Sequence, residues 1–184
     1  MKHFFDIGAN IGQTLDDYIL PRVSEFDGWE IFCFEPSVRH LGELRDRCEQ
    51  LASRHNLTIN LCSFGLYDRT GWLKLHEARD PLADSFFASP GVRKSKLTVL
   101  CPVVDVVDFI LANVQHPDTV TVKIDAEGSE FPILERILGA PDIWRNIERV
   151  LVEWHSTGPD SDDRRHRIED RLKLVNIPLE EWTY

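Results

Sequence analysis

The sequence predicts an α/β domain built on a doubly wound, mostly parallel β-sheet. Short apolar runs alternate along the chain with longer amphipathic stretches, which is the order of strands and helices in such a sheet. Several of the apolar runs end in acidic residues, and the carboxyl ends of parallel strands share one edge. A chain of 184 residues is long enough for one domain with a sizeable core, so we expect a single domain over residues 1–184.

Composition narrows the class of protein. The chain has 42% hydrophobic and 28% charged residues, as ordinary globular domains do. Its formal net charge of −10 argues against a nucleic-acid partner, whose phosphates require a basic surface. No apolar run approaches the roughly 20 residues of a membrane span, and we expect neither a signal peptide nor a membrane partner. Four scattered cysteines lack the spacing of zinc or disulfide frameworks, so we expect a cytoplasmic protein.

The first element is a strand that runs into a glycine-containing loop. The apolar run Phe4–Ile7 leads into Asp6–Gly12 (DIGANIG), and a helix is predicted over Gln13–Ser24, which Pro21 ends or kinks. Glycine allows a ligand to approach the backbone closely, and free N–H groups at a helix start can hold an anionic group. A strand, turn and helix that bind nothing are the alternative for this stretch.

The loop fits S-adenosylmethionine (SAM) better than a dinucleotide. A dinucleotide fingerprint reads G-x-G-x-x-G, whereas the glycines Gly8 and Gly12 have no glycine at the central position between them. An acidic residue ahead of the glycines, here Asp6, is the pattern of SAM-binding loops. Its carboxylate can accept hydrogen bonds from the loop or from a ligand amine.

The second predicted strand, Trp29–Phe34, ends at Glu35 and Pro36. A carboxylate at this strand tip lies beside the first loop and can accept hydrogen bonds from both hydroxyls of a ribose. Glu35 follows Gly12 by 23 residues, close to the roughly 20 expected for a ribose-binding acid. The alternative is a solvated charge at a strand end.

The middle of the chain predicts a long loop near the same sheet edge. Ser63, Phe64 and Gly65 follow the third strand, where they can flank an adenine ring. The polar segment Glu77–Lys96 contains Phe86 and Phe87, and a loop of this length is usually functional or mobile. A surface insertion whose aromatic rings pack down is the alternative. The other elements predicted up to here are a helix over Val38–Arg54 and strands over Leu57–Cys62 and Trp72–His76.

The second half of the chain continues the alternation. The predicted elements are strands over Leu97–Val104, Val120–Ile124, Ile147–Trp154 and Leu179–Tyr184, a helix capped by Asp105, a helix after Glu130 and a helix over Arg164–Val175. Polar residues at the carboxyl ends of predicted strands then converge on one cleft. These residues are Asp6, Glu35, Asp125, Glu127, Glu153 and His155.

Four of these stretches together resemble the FkbM family of SAM-dependent methyltransferases. They are Asp6–Gly12, Phe34–Pro36, Lys123–Glu130 (KIDAEGSE) and Glu153–His155 (EWH), and the resemblance extends from about residue 3 to residue 155. The KIDAEGSE stretch is the most specific, whereas the DIGAN loop is shared more widely among methyltransferases. The family has the Rossmann-like class I methyltransferase fold and consists mostly of O-methyltransferases that act on hydroxyls of sugars, polyketides or similar metabolites.

The resemblance implies roles for individual residues. Glu35, with Pro36, would bind the ribose, and Asp125 would stand between cofactor and substrate. Near the adenine, the stretch Ser63–Asp68 departs from the family pattern, which leaves the adenine contacts at Ser63 and Gly65 open. The residues expected around the methionine part of SAM are Gly8, Ala9, Asn10 and Gly12.

Such methyltransferases usually add a seventh, antiparallel strand after the sixth predicted strand, where this sequence stops. We therefore expect either a sheet shortened at its C-terminal edge or one whose missing edge comes from a partner chain. The predicted last strand, Leu179–Tyr184, would then be an edge strand open to pairing with another copy of the chain.

Methyl transfer is an in-line displacement at a sulfonium, so the protein mainly aligns the acceptor and excludes water. A hydroxyl acceptor also benefits from a base, and a histidine titrates nearest to neutrality. The candidates are His155, Asp125, Glu127 and Glu153. A hydrogen-bonded strand-end histidine is the alternative for His155, and pairing with a carboxylate is the expected role of Lys123.

A divalent metal held by Asp125, Glu153 and His155 is the less favoured alternative, because oxygen ligands with one imidazole suit magnesium or manganese. We therefore predict a SAM-dependent methyltransferase that acts on a hydroxyl of a small molecule or sugar. Two other classes stay open, a SAM-binding module or partner-dependent subunit without activity of its own, and an NAD-dependent enzyme.

Overall fold

The computed structural model of the protein describes residues 1–80, 83–87 and 94–183. Strands and helices alternate within these residues, as predicted. The strands are β1 (Lys2–Ile7), β2 (Glu30–Phe34), β3 (Thr58–Cys62), β4 (Gly65–Tyr67), β5 (Gly71–Ala78), β6 (Lys94–Asp105), β7 (Thr119–Ile124), β8 (Ile147–Val152) and β9 (Leu179–Glu181). The α-helices are α1 (Leu41–Arg54), α2 (Val106–Asn113), α3 (Glu130–Leu138) and α4 (Ser161–Leu174). Shorter helical segments cover Leu15–Ile19, Leu20–Phe26 and Pro141–Asn146.

The central sheet has six parallel strands in the order β3-β2-β1-β7-β8-β9, which confirms the predicted α/β fold class. The chain builds one half outward from β1 to β3 and then returns to place β7 on the other side of β1. Ligands bind at such a switch point in open α/β sheets. Strands β4, β6 and β5 form a separate three-stranded sheet.

The core lies on both faces of the central sheet. Neighbouring residues of a strand point to opposite faces, so Phe4 and Phe5, both fully buried, belong to different apolar clusters. Phe5 contacts Phe32, Phe34 and Phe109 edge-on, at centroid distances of 5.2, 5.4 and 5.5 Å. Burial on both faces explains why β1 reads as a nearly continuous apolar run.

Some elements differ from their predicted form. The helix expected over Gln13–Ser24 is a π-helical turn followed by a 3₁₀ segment, and Arg22 leaves helical geometry beside Pro21, which lacks an amide proton. Strand β8 ends at Val152 instead of Trp154. Strand β4 was not predicted, because three residues are too few to show a period.

The predicted loop Glu77–Lys96 is shorter than expected, because β5 extends to Ala78 and β6 begins at Lys94. Residues 81–82 and 88–93 of that segment lie outside the described part of the chain. Strand β9 lies at the edge of the central sheet, where the sequence predicted it, and covers Leu179–Glu181. In the described ranges, no helix has the length and apolar character needed to span a membrane.

Candidate functional site

The loop after β1 is held against the loop after β7. Gly8 has φ +79°, and a β-carbon at this position would lie 1.8 Å from the carbonyl oxygen of Asp125. The amides of Gly8 and Ala9 both donate to the carbonyl oxygen of Phe34, at 3.1 and 3.0 Å. Only glycine fits this close approach, and the loop is therefore fixed between the ends of β2 and β7.

Glu35, directly after β2, connects this loop to the turn that precedes α1. Its carboxylate accepts hydrogen bonds from the amides of Asn10 (2.9 Å) and Ser37 (2.6 Å). The residue is only 6% exposed. Burial raises the pKa of Glu35, although the two amides and His40 oppose this change. Each oxygen retains a lone-pair position beyond the one that its amide occupies.

Asp84, in the segment between β5 and β6, binds groups around Glu35. Its carboxylate lies 3.3 Å from the hydroxyl of Ser37 and 3.3 Å from Nε2 of His40, pairs with Arg39, and accepts the amide of Ala78 at 2.8 Å. Burial raises its pKa, but His40, the Ala78 amide and Arg39 outweigh burial and hold the pKa below its usual value. Asp84 is therefore an ionised anchor for the segment beside the cavity.

The same segment is also attached to the opposite wall. The hydroxyl of Ser85 donates to the carbonyl oxygen of Glu127 at 2.6 Å. Phe86 lines the cavity, and Phe87 lies 3.1 Å from the position that a β-carbon of Gly128 would take. Phe86, one of the two phenylalanines of this segment, therefore belongs to the site, and Phe87 packs beside Gly128.

Lys123 and Asp6 form an ion pair in the protein interior. Lys123 Nζ lies 3.0 Å from Asp6 Oδ1, and both side chains are fully buried. The ammonium group also approaches Asp125 Oδ2 at 3.5 Å and donates to the carbonyl oxygen of Gly8 at 3.4 Å. Burial raises the pKa of Asp6 more than Lys123 lowers it. Lys123 therefore pairs with a carboxylate, as expected. Through its hydrogen bond to Gly8, the pair also supports the loop after β1.

His155, three residues beyond the end of β8, is surrounded by carboxylates. Its Nδ1 contacts Glu130 Oε1, and its Nε2 lies 3.6 Å from Glu127 Oε1, 3.8 Å from Glu153 Oε1 and 3.9 Å from Asp125 Oδ1. Burial lowers the pKa of His155, but these carboxylates outweigh burial and raise it to about 9. The imidazole is therefore a cation at neutral pH.

Glu127 and Glu153, the two carboxylates near His155 that are most open to solvent, also have shifted pKa values. Burial raises the pKa of Glu127 and of Glu153, and the remaining carboxylates add to the rise, whereas His155 opposes it. Several negative charges therefore share this end of the site.

A cavity of about 220 Å³ joins these groups. Of the predicted site residues, those that line it are Gly8, Asn10, Glu35, Pro36, Gly65, Asp125, Glu127, Glu153 and His155. Ala9 and Gly12 lie in the loop behind the lining, Asp6 faces Lys123, and Ser63 is exposed. Their predicted cofactor contacts stay predictions.

Sequence reasoning missed several polar residues of the site, among them Glu130, His40 and Asp84. Glu130 was placed only at a helix start, and no pattern marked His40 or Asp84. For Glu130, the signal available in the sequence was its place in the KIDAEGSE stretch. His40 and Asp84 are 44 residues apart in the sequence, so no local pattern shows that they are in contact.

Asp125, Glu153 and His155, the predicted metal set, come together in space. One ligand atom from each lies within 4.8 Å of the others. The chemistry of this set suits magnesium or manganese.

The fold and site define an α/β protein with an acidic ligand cavity at the switch point of a parallel sheet. The family model of the methyltransferase FkbM domain matches residues 6–176 of the sequence. The chain therefore belongs to this family of methyltransferases. No curated protein matches the sequence at a significant level.

The fold also resembles a solved structure, that of methyltransferase FkbM from Methylobacillus flagellatus KT. The TM-score is 0.56 and the sequence identity is 18%. The match covers 95% of this chain but 38% of the other, so this chain spans well under half the length of that protein. At this identity the similarity supports the fold alone.

Proposed function

We propose that the protein transfers a methyl group from SAM to a hydroxyl of a small molecule or sugar. The observation that carries this proposal is the position of Glu35. A nearly buried carboxylate lines the cavity beside the glycine loop, at the strand end where open α/β sheets bind a ribose. Membership of a methyltransferase family supports the same function.

The residues of the cavity fit the charge and shape of SAM. The ammonium and sulfonium groups of SAM are cationic, and one end of the cavity has the carboxylates of Asp125, Glu127 and Glu153. At the other end, the free lone pairs of Glu35 can accept from ribose hydroxyls. Gly8 leaves the backbone open beside both ends.

When bound, SAM supplies an electrophilic methyl group and a neutral leaving group. The protein then has to orient the acceptor, exclude water and accept one proton. Phe86 is one of the apolar side chains that line the cavity and can exclude water, and His155 faces the acidic end with Nε2. Once it has lost the proton that the carboxylates favour, His155 is our candidate for the proton acceptor. Asp125, Glu127 and Glu153 are candidates for holding the cationic groups and the acceptor.

Calorimetric titration of the purified chain with SAM and with S-adenosylhomocysteine tests the cofactor. We expect micromolar affinity for both, and titration with NAD is the matched comparison. A folded protein that binds neither compound would overturn the proposal, and affinity for NAD instead would favour the dinucleotide alternative.

A panel of hydroxylated acceptors then tests turnover with labelled SAM. Methylation of a hydroxyl supports the proposal. Binding of SAM without turnover across the panel would favour a cofactor-binding module that needs a partner subunit.

A further inference from the structure

Asp84 lines the same cavity as Glu35, but its carboxylate is occupied by groups of the protein itself. Two donors from the protein meet Oδ1, and the hydroxyl of Ser37 and Nε2 of His40 lie at Oδ2. A carboxylate has about four lone-pair positions, so these partners saturate Asp84. Its contacts therefore hold neighbouring residues rather than a ligand.

Two of these neighbours belong to the turn that holds Glu35. The backbone amide of Ser37 donates to Glu35 Oε1 at 2.6 Å, while its hydroxyl lies 3.3 Å from Asp84 Oδ2. His40 closes the same turn, because its amide donates to the carbonyl oxygen of Ser37 at 3.1 Å. Its ring nitrogen Nε2 lies 3.3 Å from Asp84. Asp84 thus fixes the turn Ser37–His40, and the turn fixes one oxygen of Glu35.

The contacts of Asp84 are shielded from water. Only 6% of its side chain is exposed, and both Ser37 and His40 are buried. Burial raises the pKa of Asp84, but the groups that it contacts outweigh burial and hold the pKa below its usual value. The carboxylate is therefore ionised at neutral pH, and hydrogen bonds to a buried charge are stronger than those between exposed neutral groups.

We propose that Asp84 is a positioning residue for the cofactor ribose, and that it acts through Ser37 and His40 to direct the free lone pairs of Glu35 toward the ribose hydroxyls. Hydrogen bonds weaken steeply when their distance or angle is poor, so Glu35 has to be fixed before the ribose arrives. The inference rests on the proposed function, since it requires Glu35 to bind the ribose of SAM.

The charge of Asp84, taken alone, predicts the opposite effect on Glu35. Burial raises the pKa of Glu35, and the nearby negative charge of Asp84 adds to the rise. Without Asp84, Glu35 would ionise more readily and would be a better acceptor for hydroxyl groups. Weaker ribose binding in a variant that lacks Asp84 would therefore report a lost position of Glu35 and not a lost charge.

Ligands that lack one ribose hydroxyl provide the test. S-adenosylhomocysteine and its 2′-deoxy and 3′-deoxy analogues are titrated calorimetrically into the wild type and Asp84→Ala. We expect the wild type to prefer S-adenosylhomocysteine over at least one deoxy analogue by about five-fold or more, the effect of one hydrogen bond. In Asp84→Ala we expect weaker binding of S-adenosylhomocysteine and a preference below about two-fold.

Ser85→Ala is the matched control within the same segment. The hydroxyl of Ser85 attaches the segment to the opposite wall, where it donates to the carbonyl oxygen of Glu127 at 2.6 Å. A general loosening of the segment would lower the affinity for all three ligands alike. We therefore expect Ser85→Ala to retain the preference for the ribose hydroxyls, even where its overall affinity falls.

Amide hydrogen exchange in the free protein reports the position of Glu35 without any ligand. The amide of Asn10 donates to Glu35 Oε2 at 2.9 Å, whereas the amide of Gly8 in the same loop donates to the carbonyl oxygen of Phe34. We expect Asp84→Ala to speed exchange several-fold at Asn10 and to leave it unchanged at Gly8. Asp84→Asn, which retains one acceptor oxygen, should show a smaller effect and serves as the test if the alanine variant does not fold.

A double variant shows whether Asp84 acts through Glu35. Glu35→Ala combined with Asp84→Ala should bind S-adenosylhomocysteine no more weakly than Glu35→Ala alone, because residues that act through one another are not additive. A merely structural Asp84 would instead add its own loss to that of Glu35→Ala, and additive losses would overturn the inference.

The outcomes separate this inference from the proposed function. Failure of the folded wild type to bind SAM or S-adenosylhomocysteine would overturn both. A wild type that binds them without preference for a ribose hydroxyl would overturn the ribose assignment of Glu35 and this inference, but not methyl transfer. A full preference in folded Asp84→Ala, or unchanged exchange at Asn10, would overturn only the present inference.

Discussion

Gly8 and Asp125 approach each other so closely that a β-carbon on Gly8 would lie 1.8 Å from the carbonyl oxygen of Asp125. The contact joins the ends of β1 and β7, two neighbouring strands whose following loops form adjacent walls of the cavity. Backbone packing, rather than side-chain chemistry, thus sets the spacing at the switch point.

Gly8→Ala should destabilise the fold by about 2–5 kcal/mol, because the left-handed conformation costs about 1–2 kcal/mol and overpacking about 1–3 kcal/mol. Gly28→Ala is the matched control, because Gly28 has a similar φ of +73° with nothing within 4 Å of its β-carbon position. Gly28→Ala should therefore lower the free energy of unfolding only by the conformational part, about 1–2 kcal/mol. Urea unfolding measures both, and equal losses would show that the contact with Asp125 relaxes easily.

Lys123→Met should lower the free energy of unfolding by about 3–5 kcal/mol at neutral pH, because it leaves Asp6 buried without its counter-charge. The loss should shrink at acid pH, where protonation of Asp6 removes the uncompensated charge. The double variant Asp6→Asn with Lys123→Met should be more stable than Lys123→Met alone. Urea unfolding at two pH values tests this, and a double variant that is no better would contradict the ion-pair explanation.

Glu35→Ala should weaken SAM binding by about 1–3 kcal/mol, the usual loss for a hydrogen bond to a charged group. Glu49→Ala is the control, since Glu49 is an exposed acidic residue of α1 that does not line the cavity. Calorimetry on folded variants measures both affinities. Unchanged affinity in Glu35→Ala would remove the ribose assignment.

The stability of the protein should depend on His155 above neutral pH. Its folded pKa of about 9 exceeds the ordinary value of 6.5, so the proton it binds stabilises the folded state. This contribution is complete below about pH 6.5 and is lost as the pH rises through about 9. The difference in unfolding free energy between the wild type and His155→Gln should therefore narrow from pH 6.5 to 10. A difference that stays constant would mean that His155 is not protonated in the folded protein.

Magnesium or manganese should leave the SAM affinity unchanged, and so should a chelator. We expect this for two reasons. The neighbouring carboxylates favour a protonated His155, and a protonated Nε2 cannot bind a metal ion. Glu35, which would hold the ribose, also lies outside the set formed by Asp125, Glu153 and His155. Calorimetry with and without the ion measures the effect. A gain in affinity with magnesium would establish the metal alternative at Asp125, Glu153 and His155.

Local sequence patterns were enough to find most elements of the central sheet. Strand β7 is one example, because Val120, Val122 and Ile124 are all fully buried, as the apolar run indicated. The predictions lost accuracy where an element is too short to show a period, as in β4, or where proline interrupts a helical pattern, as at Pro21. A loop prediction from polarity also failed at its ends, because β5 and β6 continue into polar residues.

The acidic residues at the carboxyl ends of the strands can be identified from the sequence, because the apolar runs show where each strand ends and parallel strands end at one edge. Asp6, Glu35 and Asp125 are placed at that edge on this ground. The direction in which each carboxylate faces, and the groups it contacts, depend on how the strands and loops pack in the folded protein. Asp6 turns inward to Lys123, and Glu35 faces the cavity. The contact between Glu130 and His155 joins the first residue of α3 to the loop after β8, 25 residues further along the chain, which no local pattern contains.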